Sequence, residues 1–379
     1  MNLGLRIGLA LCAVSTHAQL VADDELVTLG EWNFLKAGEG GVVAVEDHLG
    51  VPSLLVERAE VALADVEFAE GVIEFDIAFD DRFGFGGPFW HASEDGLDNE
   101  YFYIRQHKSG EPDAVQYTPM RGGLTSWQIF ADANAIAPFS FTHDGWNHFR
   151  MVVANDQADI YFNGSTRPVL HVPDLATDRG HGGVGFRATG TYGKFNIASL
   201  KIRPLEPGER IVGEAAQITP PPSGTITNWS VSEPFDESRV DGQLLLPQAI
   251  GRMGGGTILA AEPFGIVDLS RAASPGRGAN TVLVASTIKA DRARPVRLKF
   301  GYSDRLRLFL NGELVFDGVA GWRTRDHFFL GTIGFNDAVV LRLRKGENQL
   351  QAAVSETFGG WGFAGAIEDR KGLTIVPEY

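Results

Sequence analysis

The sequence predicts an all-β protein made of two β-sandwich domains, and three observations carry that expectation. Glycine and proline supply 46 and 18 of the 379 residues, about a sixth of the chain against an average near one in eight, a turn content that suits domains with many short strands. Apolar and polar residues alternate in run after run, the period of a strand with one buried face. Over residues 25–203 no amphipathic helical stripe interrupts those runs. The length suits two domains, and 44% hydrophobic with 21% charged residues excludes a disordered chain.

The first element is a targeting segment. Arg6, the apolar run Ile7–Val14 and the small-residue site Thr16-His17-Ala18 predict a secretory signal over 1–18, cleaved before Gln19. The run is too short to span a bilayer, so the expectation is a periplasmic or secreted protein with no membrane insertion after cleavage. Cleavage also removes Cys12, the sole cysteine, which excludes disulfides, thiol chemistry and cysteine-built zinc sites. A formal net charge of −15 repels nucleic acid and anionic lipid, so neither is an expected partner. Nothing in the sequence sets an oligomeric state.

In Val72–Phe79, Ile73, Phe75, Ile77 and Phe79 fall on one face, with Glu74, Asp76 and Ala78 on the other. Tyr101–Gln106, Phe149–Val153, Asp159–Phe162, Val184–Arg187 and Phe195–Ile202 are further strands, and Asn163-Gly164 marks a tight hairpin. Together they predict a first sandwich over 25–203. Pro204, Pro207-Gly208 and Pro220-Pro-Pro-Ser-Gly224 bracket a linker over 204–224. Thr281–Lys289, Val296–Phe300, Arg305–Leu310, Glu313–Phe316, Val339–Leu343 and Gln349–Val354, with a hairpin at Asn311-Gly312, predict a second sandwich over 225–377.

Asp144-Gly-Trp-Asn-His-Phe-Arg-Met-Val-Val153, Asp159-Ile-Tyr-Phe-Asn-Gly164, Gly182-Gly-Val-Gly-Phe-Arg187 and Phe195-Asn-Ile-Ala-Ser-Leu200 resemble the C-terminal strands of the concanavalin A-like lectin/glucanase superfamily. Within it, Tyr101–Tyr117 and Trp127-Gln128 are similar to the LamG-like group related to 3-keto-disaccharide hydrolase domains. Asn228–Phe235, Val296–Gly312, Lys345–Leu350 and Phe358–Phe363 are similar to galactose-binding-like jelly-roll modules. The resemblances imply a concanavalin A-like sandwich followed by a galactose-binding-like one. They leave function open, because one fold hosts many functions.

Strand parity puts Tyr101, Tyr103, Arg105 and His107 on one face and Phe102, Ile104 and Gln106 on the other. A polar-aromatic face suits sugars, whose apolar ring faces stack on aromatics while Arg and His donate to hydroxyls. The same alternation also describes a solvated face with tyrosine as an ordinary strand former. Trp90, His91, Asp113, Gln116, Trp127, Gln128 and Arg187 are expected to line the same cleft. In the second domain Trp322, Arg323, Arg325, Asp326 and Trp361 are candidates, with Trp361 equally suited to a core.

Retaining glucanases of the superfamily carry Glu-x-Asp-x-x-Glu on one strand, with two carboxylates at work. Here Glu74 and Asp76 match, but Phe79 stands at the third acid and Asp80 falls one residue late. That departure removes the acid, and Glu74 and Asp76 read as solvated. The resemblance to 3-keto-disaccharide hydrolases implies a different route: a base removes the proton beside the keto group, the C1 substituent leaves, and water adds back. It needs one base, His107 or His91, and an electrophile for the enolate, Arg105 or a divalent metal. His91, Glu94, Asp95 and Asp98 are the conceivable ligands, but their spacing matches no known metal pattern, and no cofactor is identified. Three readings follow: a carbohydrate-binding protein, a hydrolase of 3-keto-disaccharides, and a structural or adhesive module. The missing catalytic pair favours the first.

Overall fold

The computed structural model describes residues 26–37, 40–253, 256–274 and 279–377. The predicted signal over 1–18, with Arg6 and Cys12, lies outside them. Four antiparallel sheets account for the fold, two on each side of the 204–224 segment.

The first sheet runs Leu26–Leu29, Trp32–Ala37, Glu60–Leu63, Gly183–Thr189, Phe85–Ala92, Asn99–Arg105, Val115–Arg121 and Leu124–Thr125, with Ile136–Ala137 also on Val115–Arg121. The second runs Leu170–Val172, Gln157–Phe162, Trp146–Ala154, Gly71–Ala78, Lys194–Arg203, Val51–Glu57 and Val42–His48. Ile73, Phe75, Ile77, Phe149 and Ile197 from the second sheet meet Phe34, Phe102, Ile104 and Phe186 from the first. Phe75 stacks on Phe149 at 5.6 Å and takes the edge of Phe186 at 5.2 Å, geometries that add to plain apolar burial. Both Asn-Gly hairpins form, with φ of 46° and 74° at Asn163 and Gly164 and 53° and 81° at Asn311 and Gly312. Left-handed φ at both central residues is the condition for the turn that matches strand twist.

The 204–224 segment has no regular secondary structure, yet its first half is packed. Leu205 and Ile211 cover Val72, Val152 and Tyr161 on the outer face of the second sheet. The buried Asp159 carboxylate accepts from Val212 N at 2.7 Å and Gly213 N at 2.9 Å, and His171 Nδ1 lies 2.7 Å from its other oxygen. Ala216 N donates to Asn134 Oδ1 at 2.7 Å. The segment is a strap on the first sandwich rather than a free tether.

The third sheet contains Thr257–Ala260, Asn228–Val231, Thr281–Ala290, Gly346–Ser355, Arg305–Leu310 and Glu313–Val319, with Leu373–Pro377 on Thr281–Ala290. The fourth contains Val267–Asp268, Gly362–Ile367, Arg294–Tyr302 and Asp337–Leu343. Trp229, Val284, Leu298, Phe300, Leu308, Trp361 and Phe363 fill the space between them. Trp361 is therefore core, its indole N–H donating to Val354 O at 3.0 Å.

The two sandwiches meet along residues 121–130. Ile129 and Phe130 join Ile266, Ile333 and Ala364 in one buried cluster, with Phe264 5.8 Å from the Phe130 ring. Arg121 Nη1 stands 2.7 Å from the buried Asp268 Oδ2, which also accepts from Ser126 Oγ at 3.1 Å. Among the described residues no helix is long and apolar enough to cross a membrane.

Candidate ligand-binding face

Register decides which side chains gather on the outer face of the first sheet. Tyr101 lies opposite Phe89 on one side and Thr118 on the other, and Tyr103 opposite Gln116. Phe102 and Ile104 enter the core, while Tyr101, Tyr103, Phe89 and Ala92 form a separate cluster with Trp127 and Phe85 against it. Tyr101 and Tyr103 stack at 5.3 Å. The Arg105 guanidinium lies 4.9 Å from the Tyr103 ring, and that of Arg187 5.1 Å from Tyr101 and 5.4 Å from Phe89, within cation–π range. Arg187 Nε is 2.6 Å from Glu60 Oε2. Burial pulls the Arg187 pKa down, but the Glu60 carboxylate outweighs it and holds the group above its ordinary value.

A chain of hydrogen bonds crosses this face and ends on Trp127. Arg105 Nη1 donates to Asp113 O at 2.6 Å, and Nη2 donates to Tyr103 Oη at 2.9 Å and to Gln116 Oε1. Tyr103 Oη donates to Gln116 Oε1 at 2.9 Å, and Gln116 Nε2 donates to Trp127 O at 2.7 Å and to Phe130 O. Burial pushes the Tyr103 phenol up to about 12, against the pull of Arg105, so it stays a donor. Asp113 bridges Lys108 Nζ at 2.6 Å and Arg105 Nε at 3.7 Å. Burial raises its pKa, but the Lys108 hydrogen bond and the nearby cations bring it below the ordinary carboxylate value.

The floor is closed: Tyr101, Tyr103, Arg105 and Arg187 are each less than one-tenth exposed. All three Arg105 guanidinium nitrogens are engaged, so these side chains hold the rim in place. Trp127 is half-buried at that rim, as Ala62 and Phe85 are elsewhere on the cluster. Its indole N–H donates to no described residue, and its ring lies 6.0 Å from Phe358 of the second domain.

Several expected neighbours sit elsewhere. Trp90 faces the core, because Phe89 is the residue directly opposite Tyr101. His91 occupies a bulge at φ 51°, with Nε2 2.8 Å from Ala69 O and its ring against Phe68. Gly182 makes that bulge possible, since a Cβ there would stand 2.3 Å from Ala92 O. Burial pulls His91 below its ordinary pKa. His107 lies past the end of the strand, its ring 4.6 Å from Phe83 and 5.4 Å from Phe85. Burial lowers its pKa too, the Gly84 carbonyl opposing. Gln128 leaves the face for the seam, with Nε2 donating to Leu330 O at 3.0 Å.

The conceivable metal ligands do not converge. His91 is on Ala69, Asp95 accepts from Ser93 Oγ at 2.6 Å, and Asp98 accepts from Gly122 N at 2.7 Å. Among the described residues no three His, Cys, Asp or Glu side chains are placed to hold a metal ion. The sequence reading missed a cluster on the outer face of the second sheet, where His148 stands between Asp76, at 2.8 Å from Nδ1, and Glu74, at 3.4 Å from Nε2. The signal was the parity of Trp146, His148 and Arg150 on a strand paired with Gly71–Ala78.

No family model matches the chain, and none of the curated proteins matches it in sequence. Among solved structures it is similar to the carbohydrate binding module CBM66 from Bacillus subtilis, at 14% identity and TM-score 0.33 over 46% of this chain and 96% of that one. It is similar also to a galectin-like protein of unknown function from Bacillus subtilis, at 14% identity and TM-score 0.31 over 46% of this chain and 91% of that one. A Bacillus licheniformis beta-glucanase aligns over 44% of this chain and 92% of its own at 9% identity and TM-score 0.27.

Proposed function

We propose that the chain is an exported carbohydrate-binding protein, a concanavalin A-like sandwich followed by a galactose-binding-like one, that takes its ligand at the rim marked by Trp127. The observation that carries this reading is the support given to Trp127. Its main chain is held by Gln116, itself fixed by Tyr103 and Arg105, while its indole N–H stays uncommitted among the described residues. A main chain fixed in place removes the backbone part of the ordering cost when the ring stacks against a pyranose. Titration calorimetry of residues 19–379 against neutral oligosaccharides tests it. Trp127→Ala is expected to weaken binding at least about tenfold, the range of an aromatic anchor. Absence of saccharide binding, or undiminished binding by the variant, overturns the reading.

The hydrolase reading has one observation in its favour: burial lowers the pKa of His107, which favours the unprotonated ring that can accept a proton. Its weakness is Arg105, whose nitrogens are spent on Asp113, Tyr103 and Gln116 and are not free to hold an enolate. Incubation with 3-keto disaccharides separates the two. Monosaccharide release that His107→Ala abolishes would replace binding with catalysis.

A further inference from the structure

We infer that the saccharide site is composite: the second domain contributes Phe358 and Trp322, and an uncharged oligosaccharide lies across the seam between the sandwiches. This rests on the carbohydrate reading above and gives it a place and a ligand size.

Phe358 is 50% exposed, yet its position is tightly set. The Asp304 carboxylate accepts from Thr357 N at 2.6 Å and Phe358 N at 2.8 Å, and Gly359 O accepts from Gln128 N across the seam at 3.0 Å. A main chain this well fixed holds an apolar ring in water beside Trp127, its centroid 6.0 Å from the indole at an interplanar angle of 63°. Lone exposed apolar residues are ordinary, but rigidly presented neighbours from two domains form a surface.

Gly359 follows Phe358 in the chain, at φ 106°. A Cβ there would stand 2.9 Å from both Trp127 Nε1 and Gln128 Oε1. The first is a donor with no partner among the described residues. The second is an acceptor on a fully buried side chain and has no partner among the described residues. An unused acceptor in a buried amide is costly unless something completes it. That oxygen is sealed from the surface, so the open group is the indole N–H, a donor that a sugar hydroxyl oxygen can accept from.

The platform continues along the seam. Gln128 Nε2 is tied to Leu330 O at 3.0 Å, and Arg323 N to Phe329 O at 2.7 Å. The loop so fixed presents Trp322, 44% exposed, with the Arg323 guanidinium 4.2 Å from its ring. Stacking surfaces on both domains suit more than one pyranose. A net charge of −15 disfavours an acidic glycan and leaves an uncharged one as the fit.

The experiment is calorimetric titration of residues 19–379 with neutral oligosaccharides of increasing length, alongside sedimentation velocity. Phe358→Ala and Trp322→Ala are each expected to lose about tenfold in affinity for the longest ligand, with melting temperatures unchanged because both side chains are exposed. If oligosaccharides bind, Trp127→Ala weakens them and the two second-domain variants bind like the parent, the composite site is wrong and the carbohydrate reading stands. If nothing binds, both fall. If Phe358→Ala abolishes self-association and leaves glycan binding intact, the rings serve a protein contact and the composite site is overturned.

Discussion

Glu356 is buried beside Asp304, and its Oε2 has no hydrogen-bond partner among the described residues. Burial, with the Asp304 charge adding, pushes its pKa up to about 8, and burial raises Asp304 as well. Between the ordinary glutamate value and about 8, the folded chain holds a proton that the unfolded chain has released. Stability is therefore complete at the acid end of that window and falls as pH rises through it. Thermal denaturation from pH 5 to 9 is expected to show that decline, and Glu356→Gln to flatten it and raise the melting temperature at pH 9. A Glu356→Gln profile parallel to the parent's would reject this. At the same scale, side-chain placement was legible where alternation alone decides it, as for Tyr101 and Tyr103 against Phe102 and Ile104. It was not legible for Trp90 and Phe89. Both are aromatic neighbours, and their assignment hangs on which of them sits opposite Tyr101, a register set by tertiary pairing. The left-handed bulge at His91 then turns the chain again.

Strands with a clean period were readable to within a few residues: Arg305–Leu310 has the expected limits, and Thr281–Lys289 gains only Ala290. Phe85–Ala92 was not readable, because Gly86, Gly87 and Pro88 break the pattern that marks a strand. Those glycines are required by contacts absent from local sequence, since a Cβ on Gly87 would meet Phe102 O at 2.3 Å. The hairpins were readable because Asn-Gly states its backbone requirement outright. Gly312 has open space around a Cβ, so its φ of 81° is the whole constraint. Gly312→Ala is expected to cost about 1–2 kcal/mol in chemical denaturation, whereas an unchanged midpoint would show that the turn relaxes freely.

For the whole molecule, proline and glycine marked the division between sheets but gave no sign that Ile129 and Phe130 pack with Ile266 and Ile333. Loop residues that bury against another domain carry no periodic signature. Those apolar contacts and the Arg121–Asp268 pair couple the halves, and the intact chain is expected to melt in one calorimetric transition. Arg121→Ala leaves the Asp268 carboxylate buried without its cation, a loss of about 3–5 kcal/mol, and is expected to split or broaden that transition. An unperturbed single transition would place the coupling elsewhere. The strap bears on a different matter, the inheritance of the parts. By secondary structure the first sandwich ends at Arg203, but the cover over Val72, Val152 and Tyr161 comes from Leu205 and Ile211, and its last tie is Ala216 to Asn134. A gene fusion or protease that cuts at the last strand strips a greasy face bare and yields a sticky fragment. A cut beyond Ala216 lets the first half keep its own cover, so the heritable module is longer than its sheets.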